Sequence, residues 1–104
     1  MAPVRQTPVV IAIDAGTTGV RARAVFTDGR PSISCYQEFP QYFPQPGWVE
    51  HDANEIWSAV HATLTDVITK IDQSSAAIGI TNQRETIVAW DKQTGKPFGK
   101  AIVW

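Results

Sequence analysis

At 104 residues the chain has room for one compact domain, and its 43% hydrophobic content can build a core, although a chain this short buries a smaller share of its surface than a larger one. Nine Lys and Arg against ten Asp and Glu give a formal charge of -1, which sets up no long-range field for a polyanion and disfavours general nucleic-acid binding. The single cysteine, Cys35, excludes an internal disulfide framework and a multi-thiolate metal site, and it fits a reducing compartment.

Residues 1–8 carry two prolines and no periodicity and read as a loose leader. Val9 to Ile13 is apolar and mostly β-branched, which predicts a strand buried on both faces. This run is far short of the roughly 20 residues of a membrane helix and too short for a secretory core, so the protein reads as soluble and cytoplasmic, without membrane insertion. It stops at Asp14-Ala15-Gly16-Thr17-Thr18-Gly19, where small residues mark a tight turn. Val20 to Thr27 alternates, with Val20, Ala22, Ala24 and Phe26 on the inner side of a strand that has one wet face. Asp28-Gly29 is a hairpin signal, and Pro31 to Phe39 returns as a third strand.

Pro40 to Gly47, rich in proline, predicts an extended crossover. A helix starts after Asp52, with Glu55 completing a capping-box-like pair. Ile56, Trp57, Val60, Leu64, Val67, Ile68 and Ile71 form its apolar stripe, and Asp72 to Ser75 closes it. Ala76 to Ile80 predicts a further buried strand, Thr86 to Trp90 is strand-like, and Lys92 to Lys96 turns the chain. The closing run Ala101-Ile102-Val103-Trp104 has no polar tail, which suggests a chain cut inside a larger fold. Three antiparallel strands, a crossover helix and another strand make a mixed α/β sheet of the ribonuclease H-like kind.

Three groups of residues can carry chemistry. In the Asp14 to Thr18 turn, Gly16 allows close backbone approach and successive N–H groups can face an anion. Thr17 and Thr18 add hydroxyls, and Asp14 can hold a hydrated Mg²⁺. A plain hairpin turn, with Asp14 satisfied by backbone N–H groups, accounts for the same residues. Arg21 can reach a phosphate, whereas Arg23 reads as a solvated strand residue. Thr81 to Thr86 follows an apolar strand, where open α/β sheets place ligand groups. There Arg84 and Glu85 offer donors and an acceptor to a polyhydroxyl ligand, or simply form a surface ion pair. Trp57 and Trp90 are expected in the core, and Trp48 is expected to pin the crossover. His51 and His61 lack metal-ligand spacing and read as structural or surface residues, and Cys35 reads as a small strand residue.

Ile13-Asp14-Ala15-Gly16-Thr17-Thr18 resembles the first phosphate motif of the superfamily of sugar kinases, actin and heat-shock chaperones. Pro46-Gly47-Trp48-Val49-Glu50-His51-Asp52, with Glu55-Ile56-Trp57, resembles the carbohydrate kinases that carry a Phe-Gly-Gly-Tyr signature. Within that family, Gly79-Ile80-Thr81-Asn82-Gln83-Arg84-Glu85-Thr86, Thr94-Gly95-Lys96-Pro97 and Ala101-Ile102-Val103-Trp104 are similar to the glycerol-phosphorylating group.

The resemblance implies an actin-like ATPase domain that is incomplete here: residues 9–104 would be the N-terminal part of the first kinase domain. It also implies transfer of the ATP γ-phosphoryl group to glycerol, with ATP and Mg²⁺ required and a homo-oligomer at full length. Carried over residue by residue, Asp14 would help hold Mg²⁺, Thr17, Thr18, Gly19 and Arg21 would contact the phosphates, Arg84 and Glu85 would bond the glycerol hydroxyls, and Trp104 would pack on its carbon skeleton. The general base would lie downstream, so this chain alone is expected to be inactive. The family usually has Gln at Ala15 and Ser at Gly19 and Val20, so the details of the phosphate contact differ here. Another sugar or polyol kinase of the family and a non-catalytic actin-like nucleotide-binding module are the alternatives. A two-metal nuclease would need more convergent carboxylates than Asp14 provides.

Overall fold

The computed structural model describes residues 9–71 and 77–103. The leader, the helix-closing segment Asp72 to Ser75 and Trp104 lie outside the described residues. Described in chain order are β1 (Val9–Ala15), β2 (Gly19–Phe26), β3 (Ile33–Glu38), β4 (Val49–His51), α1 (Ala53–Thr69), β5 (Ala77–Thr81) and β6 (Ala101–Val103). The main sheet has the order β3-β2-β1-β5, and β4 pairs with β6 in a separate two-stranded ribbon. β1 and β2 are antiparallel from Val9↔Phe26 to Ala15↔Val20, β2 and β3 are antiparallel, and β5 returns parallel to β1 after α1. A parallel return needs a crossover, which α1 supplies. This is the mixed sheet expected from the sequence.

The period-2 pattern decides which face is covered. Val9, Ile11, Ile13 and Ala15 of β1 and Val20, Ala22, Ala24 and Phe26 of β2 all point to one side, where α1 lays Ala59, Val60 and Val67 over them. Ala22 and Ala24 have no bulk, so the helix can approach β2 closely. Each large aliphatic buried here contributes about 1.5–3 kcal/mol. The helix also buries Thr63, whose hydroxyl donates to the Ala59 carbonyl at 2.9 Å and so enters the core satisfied. Ala22 is wholly buried beneath this layer. Ala22→Leu is therefore expected to destabilise the chain by about 1–3 kcal/mol through overpacking, read as a lower urea midpoint.

Asp52 caps α1 by accepting the Asn54 N–H at 2.8 Å, as expected. Glu55 does not complete a capping box, because its carboxylate accepts the Tyr42 hydroxyl at 2.5 Å instead. That bond to a carboxylate holds the Tyr42 phenol above its ordinary pKa. The Asp28-Gly29 hairpin forms as expected, with Gly29 at φ 89, and Arg30 pairs with Asp28 at 2.9 Å.

Four other expectations are corrected. β1 is buried on one face only, with Val10 42% exposed, since nothing described covers the other side of the sheet. β5 is exposed along its whole length because it forms the sheet edge away from α1. Trp57 and Ile68 belong to the helical stripe by spacing but stand out of the core. At about 100° per residue they fall roughly a quarter turn from the line Ile56, Val60, Thr63 and Val67. Thr86 to Trp90 contributes only isolated bridges at Ile87 and Trp90, and Trp90 lies exposed at the base of the Asp91–Lys96 turn. No helix among the described residues is long and apolar enough to cross a membrane.

Candidate functional site

The candidate site lies at the end of β1. Gly16 N–H donates to the Gly19 carbonyl at 3.0 Å, closing a tight turn around Thr17 and Thr18, both exposed. Among the described residues, no acceptor takes the Thr17 or Thr18 N–H, so both can face an anion. Strand register sets four side chains in one row across the sheet: Tyr36 on β3, Arg21 on β2, Asp14 on β1 and Thr81 on β5. The Arg21 guanidinium stacks over the Tyr36 ring at 4.9 Å. The Tyr36 hydroxyl in turn lies 3.0 Å from Thr18 Oγ1. Asp14 is exposed and has no hydrogen-bond or ionic partner among the described residues, so it is not consumed by backbone N–H groups as a plain hairpin turn would require.

Tyr36 and Gly19 also show how closely β3 approaches the turn. A Cβ at Gly19 would fall 2.6 Å from both the Tyr36 hydroxyl and the Gln37 carbonyl. The tyrosine could swing aside, but the backbone oxygen could not without shifting β3. Glycine is therefore required here by the close approach of β3.

Behind the turn lies a polar cluster that the sequence did not reveal. Gln83, two residues past β5, donates from Nε2 to the Gly16 carbonyl at 2.8 Å. It also faces His51 Nδ1 at 3.1 Å, while its Oε1 accepts the Thr86 hydroxyl at 2.9 Å. With the amide oriented in this way, His51 Nδ1 is an acceptor and the ring proton sits on Nε2. Nε2–H donates to Gln41 Oε1 at 2.6 Å, and Gln41 Nε2 donates to the Thr17 carbonyl at 2.8 Å. His51 is completely buried, and the Phe39 ring meets it edge-on at 4.9 Å. Burial holds the imidazole pKa below 6.5. Because the folded pKa is depressed, the contribution of His51 to stability is complete above about pH 6.5 and is lost as pH falls through the folded value. Urea titrations between neutral and mildly acidic pH are expected to show this loss in the parent and not in His51→Gln.

Arg84 and Glu85 follow Gln83 in an exposed turn. Neither is ion-paired among the described residues, which removes the surface-pair explanation. Glu85 has φ 63, in the left-handed region, where an L-residue costs about 1–2 kcal/mol. Strain of this kind clusters at functional sites. A shallow cleft of ≈ 210 Å³ opens beside them between Ala15, Ile56, Asn82, Gln83, Thr86 and Val88. The fold thus brings together Asp14, Thr17, Thr18, Gly19 and Arg21, with Gln83 tying the Arg84–Glu85 turn to them; Trp104 lies outside the described residues.

No hydrogen bond ties the other candidates to this cluster among the described residues. Trp48 is 54% exposed in the Gly47 turn, and His61 is exposed beside Trp57. Cys35 sits on β3 with Lys70 Nζ 3.4 Å from its sulfur. No group of three or more His, Cys, Asp or Glu converges among the described residues. A lone carboxylate such as Asp14 fits a Mg²⁺ that keeps most of its waters and takes its remaining oxygens from a ligand.

Residues 9–104 match the FGGY family of carbohydrate kinases, N-terminal domain. The chain is 55% identical over 98 residues to the glycerol kinase of Limosilactobacillus reuteri, a match that covers 91% of this chain and 20% of that enzyme. It superposes on the crystal structure of Plasmodium falciparum glycerol kinase with ADP at a TM-score of 0.84 and 33% identity, covering 99% of this chain and 21% of that one. A gluconate kinase from Lactobacillus acidophilus shares the fold at a TM-score of 0.86 and 24% identity, over 95% of this chain and 20% of that one. The chain therefore spans about a fifth of the length of these relatives.

Proposed function

Since the chain belongs to the FGGY family of carbohydrate kinases, we propose that it forms the N-terminal part of an ATP-dependent glycerol kinase, the first portion of its actin-like domain. The observation that carries this reading is the Gln83–Gly16 bond, which tethers the Arg84–Glu85 turn to the Asp14–Gly19 turn. In phosphoryl transfer, positioning and charge neutralisation supply most of the rate. Thr17 and Thr18 offer N–H groups and hydroxyls to the ATP phosphates, Gly19 offers its backbone N–H, and Arg21 adds a positive charge. Asp14 would hold Mg²⁺, which neutralises charge on the phosphoryl oxygens when bound. Arg84 donates to glycerol hydroxyls and Glu85 accepts from them, so the pair orients one terminal hydroxyl toward the phosphate turn. Trp104 would pack on the carbon skeleton.

The general base that takes the hydroxyl proton lies outside this chain in this reading, so the 104-residue chain is inactive by itself. A coupled ADP-release assay tests both statements. The full-length polypeptide turns over with glycerol and ATP, and the short chain does not. Preference for a pentulose or gluconate over glycerol would overturn the substrate assignment, and comparable turnover by the short chain would overturn the placement of the base.

A further inference from the structure

The phosphate turn and the Arg84–Glu85 turn come from segments far apart in the chain, yet they share one buried connector. His51 receives a hydrogen bond at Nδ1 from Gln83, whose amide also holds the Gly16 carbonyl. Through Nε2–H it orients Gln41, whose amide holds the Thr17 carbonyl. Two consecutive carbonyls of the turn are thus drawn toward the protein interior, which turns the following N–H groups the other way, toward solvent. Gln83 immediately precedes Arg84, so the same imidazole fixes the origin of the second turn. Each amide and ring nitrogen in the cluster has a single consistent orientation, set by the Gly16 and Thr17 carbonyls, which can only accept. The ring bonds these two carboxamides and meets the Phe39 ring, and its backbone pairs with Ala101 of β6. Among the described residues, its hydrogen-bond partners are both uncharged.

We infer that His51, as the neutral Nε2–H tautomer, is a positioning residue that aligns the phosphate turn with the Arg84–Glu85 turn so that the two substrates meet in register. The inference rests on the kinase reading. Protonation at Nδ1 would set two donors against each other at Gln83, so alignment is lost in acid. A misplacement on the order of 1 Å costs about a hundredfold in rate.

The test uses the full-length polypeptide. His51→Phe keeps an aromatic ring and removes both bonds, and kcat/KM for glycerol is expected to fall about a hundredfold, mostly in kcat. His51→Asn can keep the tie to Gln83, His51→Gln can keep the tie to Gln41, and each is expected to lose roughly tenfold. Neither substitute titrates, so the part of the acid limb of kcat that belongs to His51 disappears in both. Gln41→Met leaves the imidazole in place and is also expected to lose roughly tenfold. Selective nitrogen labelling of histidine reads the tautomer directly, with the proton on Nε2 at neutral pH. Failure of the unsubstituted polypeptide to phosphorylate glycerol would sink the kinase reading, and the labelling experiment would still judge the tautomer. Turnover within twofold of the parent in His51→Phe, an unchanged acid limb in the Asn and Gln variants, or a proton on Nδ1 would overturn the positioning role.

Discussion

In the full-length polypeptide, Asp14→Asn is expected to lower kcat for glycerol phosphorylation by about 10²–10³-fold, the usual loss when one fixed electrostatic contact to developing charge is removed. The same change is expected to leave stability within about 0.5 kcal/mol of the parent. Asp14 is exposed at the end of β1 and bonds to nothing described in the chain, so the fold does not depend on its charge. If Asp14 served the turn instead of a ligand, the result would be the reverse: a loss of stability with activity following in proportion. Raised Mg²⁺ concentration should recover part of the lost rate in the variant. A variant that unfolds more easily but turns over normally would remove Asp14 from the site.

Glu85→Gly is expected to separate stability from function in the opposite direction. Glycine enters the left-handed region without the penalty that Glu85 bears at φ 63. The unfolded variant chain has more freedom to lose, which offsets part of that relief, so the net gain is at most about 1 kcal/mol. The lost carboxylate removes a charged acceptor for a glycerol hydroxyl, worth about 1.5–3 kcal/mol, so kcat/KM for glycerol falls roughly 10- to 150-fold. Glu85→Gln, which keeps the shape and the strain, should show the loss without the gain. Thermal unfolding and steady-state kinetics on the three proteins check this. A Glu85→Gly variant that is less stable than the parent would show that the left-handed backbone is favoured by its surroundings, not imposed on them.

Much of the fold can be read locally. The alternation over Val20 to Phe26, the Asp28-Gly29 turn and Asp52 before the helix each declare themselves within a few residues, and the structure follows them. What depends on a neighbour is less visible. The run Val9 to Ile13 looks the same whether one face or two are covered, and only the position of α1 decides. Trp57 has helical spacing to the core residues, but a helix packs on a line, and its ring falls beside that line. The site shows the same division. Asp14, Gly16, Thr17 and Thr18 are contiguous and legible as an anion-facing turn. His51, Gln41 and Gln83 are ordinary residues in three separate segments, and their cluster exists only once β4 and β5 converge on the turn. Tyr36 is equally silent in sequence; Gly19, which its side chain reaches across from β3, is the one local sign of close approach.

The exposed edge of the main sheet bears on how this chain behaves as a separate molecule. β5 is bonded to β1 on one side, and no described strand pairs with the other, which leaves a row of N–H and C=O groups open. Its sequence Ala-Ile-Gly-Ile-Thr carries no charge and no proline, with Ile80 68% exposed. Such an edge can template the addition of a further strand from another copy, and nothing in its side chains discourages this. Prepared on its own, the chain is therefore expected to self-associate as its concentration rises, with Ile80→Lys suppressing the growth seen by light scattering. A strand that contributes little to the core would then govern solubility, and handling of the isolated chain would be limited by aggregation before it is limited by unfolding.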